Sequence, residues 1–169
     1  EPPFTKELPN DVDWKSPQID PPYSSILKIK SSFDGSVDYV VFDKDWRNNM
    51  NGTETGIRTK WSPDKLEGQI YLKSGCGILA CPFGSIVDIR GLPSPIVINA
   101  GDEEFRIYGE DGEFSLPSAF GKRLAEGAGS VTVKLGDSGK TLTLGKGTVD
   151  SLKKLFAAIS NAEEPPKFI

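Results

Sequence analysis

Val131-Thr132-Val133-Lys134-Leu135 and Lys140-Thr141-Leu142-Thr143-Leu144 are two short runs joined by Gly136-Asp137-Ser138-Gly139. Apolar side chains fall on every second position of each run. Threonine and valine supply β-branched bulk, and the four joining residues are turn formers. The stretch 131–144 therefore reads as a β-hairpin with one buried and one solvated face. Its neighbours repeat the pattern. Ser24-Ser25-Ile26-Leu27-Lys28-Ile29-Lys30 and Val37-Asp38-Tyr39-Val40-Val41-Phe42 flank an Asp34-Gly35 turn. Further runs at 69–72, 77–80, 86–89, 95–98 and 105–108 are each bounded by Gly, Pro, Ser or Asp, and a turn is expected at 109–112. Short strands at this spacing predict an all-β sandwich or barrel. Residues 43–56 are polar and read as a loop, with Asn48-Asn49-Met50-Asn51-Gly52 as turn chemistry rather than a used glycosylation sequon.

Helical periodicity occurs once with clarity. Leu152, Leu155, Phe156 and Ile159 stand at i, i+3, i+4 and i+7, the spacing of one buried face. A helix over 149–160 follows, with Thr148 or Asp150 placed to cap it. A shorter helix fits 117–126. Before the strands, Pro2-Pro3, Pro9, Pro17 and Pro21-Pro22 remove backbone donors and fix φ. Residues 1–25 are thus expected as an extended Pro-rich arm, anchored by Trp14 and Tyr23, ahead of a β domain at 26–148 and a helix and tail at 149–169.

Composition closes off several chemistries. The 169 residues include no histidine. Ser-His-Asp and Cys-His catalysis, His-ligated zinc and a proximal-His haem are excluded on that ground. Net charge is −4 and the pI about 5.0. Lys and Arg are scattered, which is unlike the basic patch that phosphate neutralisation demands, so nucleic acid is not an expected partner. No stretch nears the roughly 18 apolar residues of a membrane span, and Glu1-Pro2-Pro3-Phe4 does not open a signal peptide. The chain fits a mature form or a soluble piece of something larger.

Some signals look chemical and are read otherwise. Gly139-Lys140-Thr141 resembles the end of a phosphate-binding loop, but Lys134 stands where that motif needs glycine and a strand follows where it needs a helix. It is read as the hairpin turn. Asp102-Glu103-Glu104 and Glu110-Asp111 lack the pattern of a calcium loop or an acid/base pair and read as exposed charge. Cys76 and Cys81 sit five residues apart, which in a strand points them to opposite faces; buried free thiols fit better than a disulfide or a redox pair.

The segment from Gly77 to Leu144 resembles a Rieske domain that has lost its cluster ligands. Rieske centres hold a [2Fe–2S] cluster with two Cys and two His on two loops. Gly77-Ile78-Leu79-Ala80-Cys81-Pro82-Phe83-Gly84 is similar to the first loop, with Phe83 near the histidine position. Ile96-Val97-Ile98-Asn99-Ala100-Gly101, followed by Phe105 and Gly109-Glu110-Asp111-Gly112, is similar to the second, with Ile98 at the cysteine and Gly101 at the histidine position. A second register, which sets Cys81-Pro82-Phe83-Gly84-Ser85 on the second loop, leaves no first loop. Of the four ligands only Cys81 remains, so no cluster can be held.

The resemblance implies an all-β, Rieske-like antiparallel sandwich of short strands with a small C-terminal helix. It implies no catalytic residue, no metal and no cofactor, and Cys81, Phe83, Ile98 and Gly101 as degenerate ligand positions. Phe83 and Ile98 are expected to touch and fill the vacated volume. By likeness to the cluster-free branch of the family, the implied role is a non-enzymatic accessory protein. It would stabilise or assemble photosystem II on the stromal side of the chloroplast thylakoid membrane. Its partners would be photosystem II or light-harvesting proteins, and a segment outside this chain would attach it to the membrane. The alternative is a small-molecule-binding β-sandwich. An enzyme built on Asp, Glu or Lys ranks third.

Overall fold

The computed structural model describes residues 6–8, 14–15, 20–30, 33–48, 52–74, 85–137 and 139–163. Its elements in chain order are β1 (Lys6–Leu8), β2 (Ile26–Lys30), β3 (Val37–Asn48), β4 (Thr53–Trp61), β5 (Lys65–Ser74), β6 (Ser85–Gly91), β7 (Ile96–Ala100), β8 (Glu103–Ile107), β9 (Glu113–Ser115), α1 (Ser118–Ala125), β10 (Val131–Leu135), β11 (Lys140–Thr143) and α2 (Lys146–Glu163). A seven-stranded sheet runs β1-β2-β3-β4-β5-β6, with β9 sharing the β5 edge, and a four-stranded sheet runs β11-β10-β7-β8. β1 joins β2 in parallel, and every other pairing between these strands is antiparallel. The fold is mostly β, as the alternating runs require.

Period-two patterning assigns the faces. Ile96, Ile98 and Ala100 of β7, Val131, Val133 and Leu135 of β10, and Leu142 of β11 all enter the main core. From the large sheet Ile26, Val41, Ile57, Trp61 and Leu66 meet them. Two helices close the remaining side. α2 lies on β2, β3 and α1, and α1 also touches β7. Phe120 of α1 is the hub: its ring lies 5.9 Å from Trp61, 5.8 Å from Phe105 and 5.8 Å from Phe156. Leu152, Leu155 and Phe156 are buried, and Ile159 packs on the same core, so the apolar helix face works as its spacing demands.

The large sheet buries part of its outer face too. Leu27, Val40 and Phe42 alternate with the inward set and pack under Trp14, whose ring centroid is 5.7 Å from that of Phe42. Tyr23 forms a parallel bridge to Phe42, and its hydroxyl donates to Asp20 at 2.8 Å. The Gln69 side chain donates to the Lys15 carbonyl at 2.9 Å. These contacts fasten the described parts of the arm.

Two expectations need correction. Residues 43–56 are not a loop. β3 continues to Asn48 and β4 begins at Thr53, and the two pair antiparallel, so most of that stretch is strand. Its polar side chains belong on a strand because one of them is bonded across the core and others line a groove, as described below. Thr148 and Asp150 do not cap the C-terminal helix. The helix starts at Lys146; Thr148 turns inward from its first turn, and Asp150 is exposed. The three-residue β9 was too short for its pattern to be legible. The expected strand at 77–80 lies outside the described residues.

Candidate functional site

The large sheet is longer than the small one, and the difference creates the site. Cross-strand register places Asp45, Ile57, Ile70 and Arg90 in one row across β3, β4, β5 and β6. The next row outward is Arg47, Thr55, Leu72 and Asp88. Both rows have the parity of Val41 and Trp61 and so point to the core side. Ile57 and Ile70 still touch the core, whereas Leu72 does not belong to it. The start of β11 and Pro93 stand over these rows and leave a groove of two lobes. One encloses about 450 Å³ over Asp45, Arg47, Thr55 and Ile57, with Lys140 and Thr141 above. The other encloses about 420 Å³ over Ile70, Leu72, Asp88 and Arg90, beneath Pro93 and Lys140. Thr55 and Lys140 line both lobes. The size is that of small-molecule sites; the first lobe is lined mainly by polar and charged residues, and the second, over Ile70, Leu72 and Pro93, is the more apolar.

Beside the groove, Asp43 points inward and is buried. The Thr148 hydroxyl donates to its Oδ1 at 2.5 Å, and Thr148 Oγ1 lies 2.9 Å from Ser24 Oγ. Ser151 donates to the Ser24 carbonyl at 2.6 Å. Burial pushes the Asp43 carboxyl above its ordinary value; the Thr148 hydroxyl and the Gly145 N–H pull it back down, and the nearby Asp45 charge adds to the rise. A buried carboxyl of raised pKa can signal catalysis. Here its bonds go to the start of α2, where a carboxylate satisfies free N–H groups and suits the positive end of the dipole. Asp43 thus caps α2 from across the fold, in place of the local residues the sequence suggested.

The outer face carries a second charged feature. Arg58 is buried between the β3 and β5 rows, opposite Lys44 and Gln69. Burial and the bond to Asp20 raise the Tyr23 phenol to about 12, with the Arg58 charge opposing. Tyr71 donates to Glu54 at 2.9 Å, and burial followed by that bond pushes its phenol far above the ordinary value. Farther out, the same face presents Trp46 and Ile89, which are 55% and 45% exposed, on the row that contains Gly56 and Tyr71.

The degenerate ligand positions fall as follows. Cys81 and Phe83, like Cys76, lie outside the described residues, so the expected contact of Phe83 with Ile98 has no geometry here. Ile98 is fully buried in the middle of β7, between Val133 and Phe105, and is part of the sheet rather than of a loop tip. Gly101 occupies the β7–β8 turn with φ +63°, and its N–H donates to Ser130 at 3.1 Å. A Cβ there would stand 3.1 Å from the Arg123 guanidinium, so the positive φ and the tight approach both favour glycine. Gly101 sits at the Ala100–Val131 end of the small sheet. Lys140 and Thr141, part of the Gly139-Lys140-Thr141 stretch read as a hairpin turn, are the first two residues of β11, paired with Leu135 and Lys134, and roof the groove. Asp102, Glu103, Glu104, Glu110 and Asp111 are exposed.

Sequence reasoning missed the groove because its walls come from five strands far apart in the chain, and its polar half lies in the stretch read as a loop. The strand pattern of 43–48 was masked by inward-facing Asp43, Asp45 and Arg47. Among the described residues no helix is long and apolar enough to cross a membrane, and no cluster of three or more Cys, Asp or Glu is arranged to hold a metal. No family model, curated protein or solved structure matches this chain.

Proposed function

We propose that this protein is a non-enzymatic binding module that receives a small molecule in the groove at the overhanging end of its large sheet. The observation that carries the reading is the pair of rows Asp45-Ile57-Ile70-Arg90 and Arg47-Thr55-Leu72-Asp88. They place an apolar strip on the core-facing side where the second sheet does not cover it, with polar groups at its ends. Among the described residues the one buried carboxyl that could suggest chemistry, Asp43, is bonded at the start of α2. Native-state titration with the neutral dye Nile red tests the reading. Saturable fluorescence enhancement is expected, and Leu72→Arg should abolish it without altering the circular dichroism spectrum. No enhancement, or enhancement unchanged in the variant, would contradict it.

A second reading is the accessory role in photosystem II support on the stromal face of the thylakoid. It rests on the Rieske resemblance, and exposed Trp46 and Ile89 offer it an apolar contact row. Affinity capture from solubilised thylakoid membranes tests it. Enrichment of photosystem II or light-harvesting subunits that is lost with Trp46→Asp supports this role. Equal capture by both proteins, or none, counts against it.

A further inference from the structure

We infer that β6 is a self-association edge, along which two copies of this chain pair antiparallel about a two-fold axis at Ile89. β6 ends the large sheet, and among the described residues no strand pairs with its far side. An open strand edge is a template for a further strand. Hydrogen-bond parity shows where that strand can bind. The Leu92 N–H donates to the Gly68 carbonyl at 3.1 Å. From there the register pairs Gly91 with Gln69, Arg90 with Ile70, Ile89 with Tyr71 and Asp88 with Leu72. Backbone groups alternate in direction along an antiparallel ladder. Arg90 and Asp88 therefore turn theirs to β5, and Ile89 turns its N–H and C=O outward. The register shifts after Leu72, so the regular stretch of β6 runs from Asp88 to Gly91.

Charge order selects a second copy as the partner. Asp88 and Arg90 flank Ile89, and their side chains are 43% and 79% exposed. With Ile89 opposite Ile89 of the partner subunit, Asp88 stands opposite Arg90 of the partner subunit, and the same pair recurs across the axis. The stretch is complementary to itself when read antiparallel, which is what an isologous interface requires. Both ion pairs fall at non-hydrogen-bonded positions, where facing side chains lie closest. Within one chain Arg90 Nε bonds Asp88 Oδ2 at 2.7 Å, and a guanidinium has further N–H groups for a second carboxylate. On the opposite face, exposed Ile89 gains an apolar neighbour in Ile89 of the partner subunit. Pairing also brings two grooves together, because Asp88 and Arg90 line the second lobe of each copy. The inference does not depend on what those grooves bind.

Sedimentation velocity of the intact protein, from micromolar to millimolar concentration, tests the inference by charge exchange. The wild type is expected to pass reversibly from monomer to dimer. Asp88→Arg sets two arginines opposite each other across the axis, and Arg90→Asp sets two carboxylates there. Each variant alone should self-associate at least about tenfold more weakly, since two attractive pairs become repulsive. An equal mixture of the two should regain wild-type dimerisation, because every facing pair is again of opposite charge. Ile89→Pro removes an N–H that only the dimer uses, a change that an edge strand tolerates. It should leave the circular dichroism spectrum unchanged and the protein monomeric. A wild type that stays monomeric throughout overturns the inference. So does a dimer that survives either charge reversal or Ile89→Pro undiminished, or a mixture that associates no better than its components.

Discussion

Replacing Thr148 by valine probes the link that ties α2 to the long hairpin. Valine has nearly the same shape, so the change deletes a hydroxyl and little else. At neutral pH that hydroxyl donates to a buried carboxylate at 2.5 Å. Losing a bond to a charged group costs about 1.5–3 kcal/mol, whereas a neutral bond contributes about 0.5–1.5 kcal/mol. The penalty should therefore depend on the protonation of Asp43. In the wild type, burial raises the folded carboxyl above its unfolded value of 3.8. Stability from this group is then fully present below that value and is lost as pH rises through the folded one. Thr148 limits the loss because its bond favours the ionised form. Thr148→Val raises the folded value further, so its destabilisation must grow with pH. Urea unfolding of both proteins from about pH 3 to about pH 7 should show a penalty near 1 kcal/mol in acid and about 1.5–3 kcal/mol at neutrality. In an Asp43→Asn background the penalty should be flat. A penalty that is equal at both ends of the range, or that persists in its pH dependence without Asp43, would refute the assignment.

Further consequences follow from the core and the outer face. Phe120→Ala removes the ring that joins Trp61, Phe105 and Phe156 and should cost about 3–5 kcal/mol. Calorimetry should show a fall in Tm of about 6–20 °C for a chain of this size; a fall of a degree or two would mean that α1 does not organise the core. On the outer face, the Tyr23 phenol, raised to about 12, favours the protonated folded state. Stability should decline as pH rises from the ordinary tyrosine value of 10.0 through about 12, and Tyr23→Phe should flatten that decline. An unchanged alkaline limb in denaturant titrations would count against the partial burial of this phenol.

How far the sequence carried the fold depended on where each strand's polar residues point. Val131–Leu135 and its partner were legible because one face is dry and the other wet, so alternation and structure coincide. The same rule failed at 43–48. There the core-facing positions are Asp43, which is satisfied by Thr148 from a residue 105 positions away, and Asp45 and Arg47, which face a groove. No local pattern encodes either circumstance. Ile98 and Gly101 are singled out by the resemblance to the second ligand loop, yet each has a sufficient structural reason: a fully buried mid-strand position and a turn with positive φ. The groove was illegible for a different reason. Asp45 and Lys140 are separated by most of the chain, and only the pairing of β3 to β6 with the placement of β11 above them makes neighbours of those residues. Lys140 opens β11 just after the turn; that this strand end overhangs an apolar strip cannot be read from its neighbours in sequence.

The account turns on the overhanging end of the large sheet being the working surface. Amide and methyl chemical shifts of the intact protein, followed during titration with Nile red, test this most directly. The expected result is a saturable set of shifts centred on Ile57, Ile70 and Leu72, with Trp14, Val40 and Phe42 on the opposite face unmoved. Shifts centred on that opposite face, or none at saturating Nile red, would contradict it.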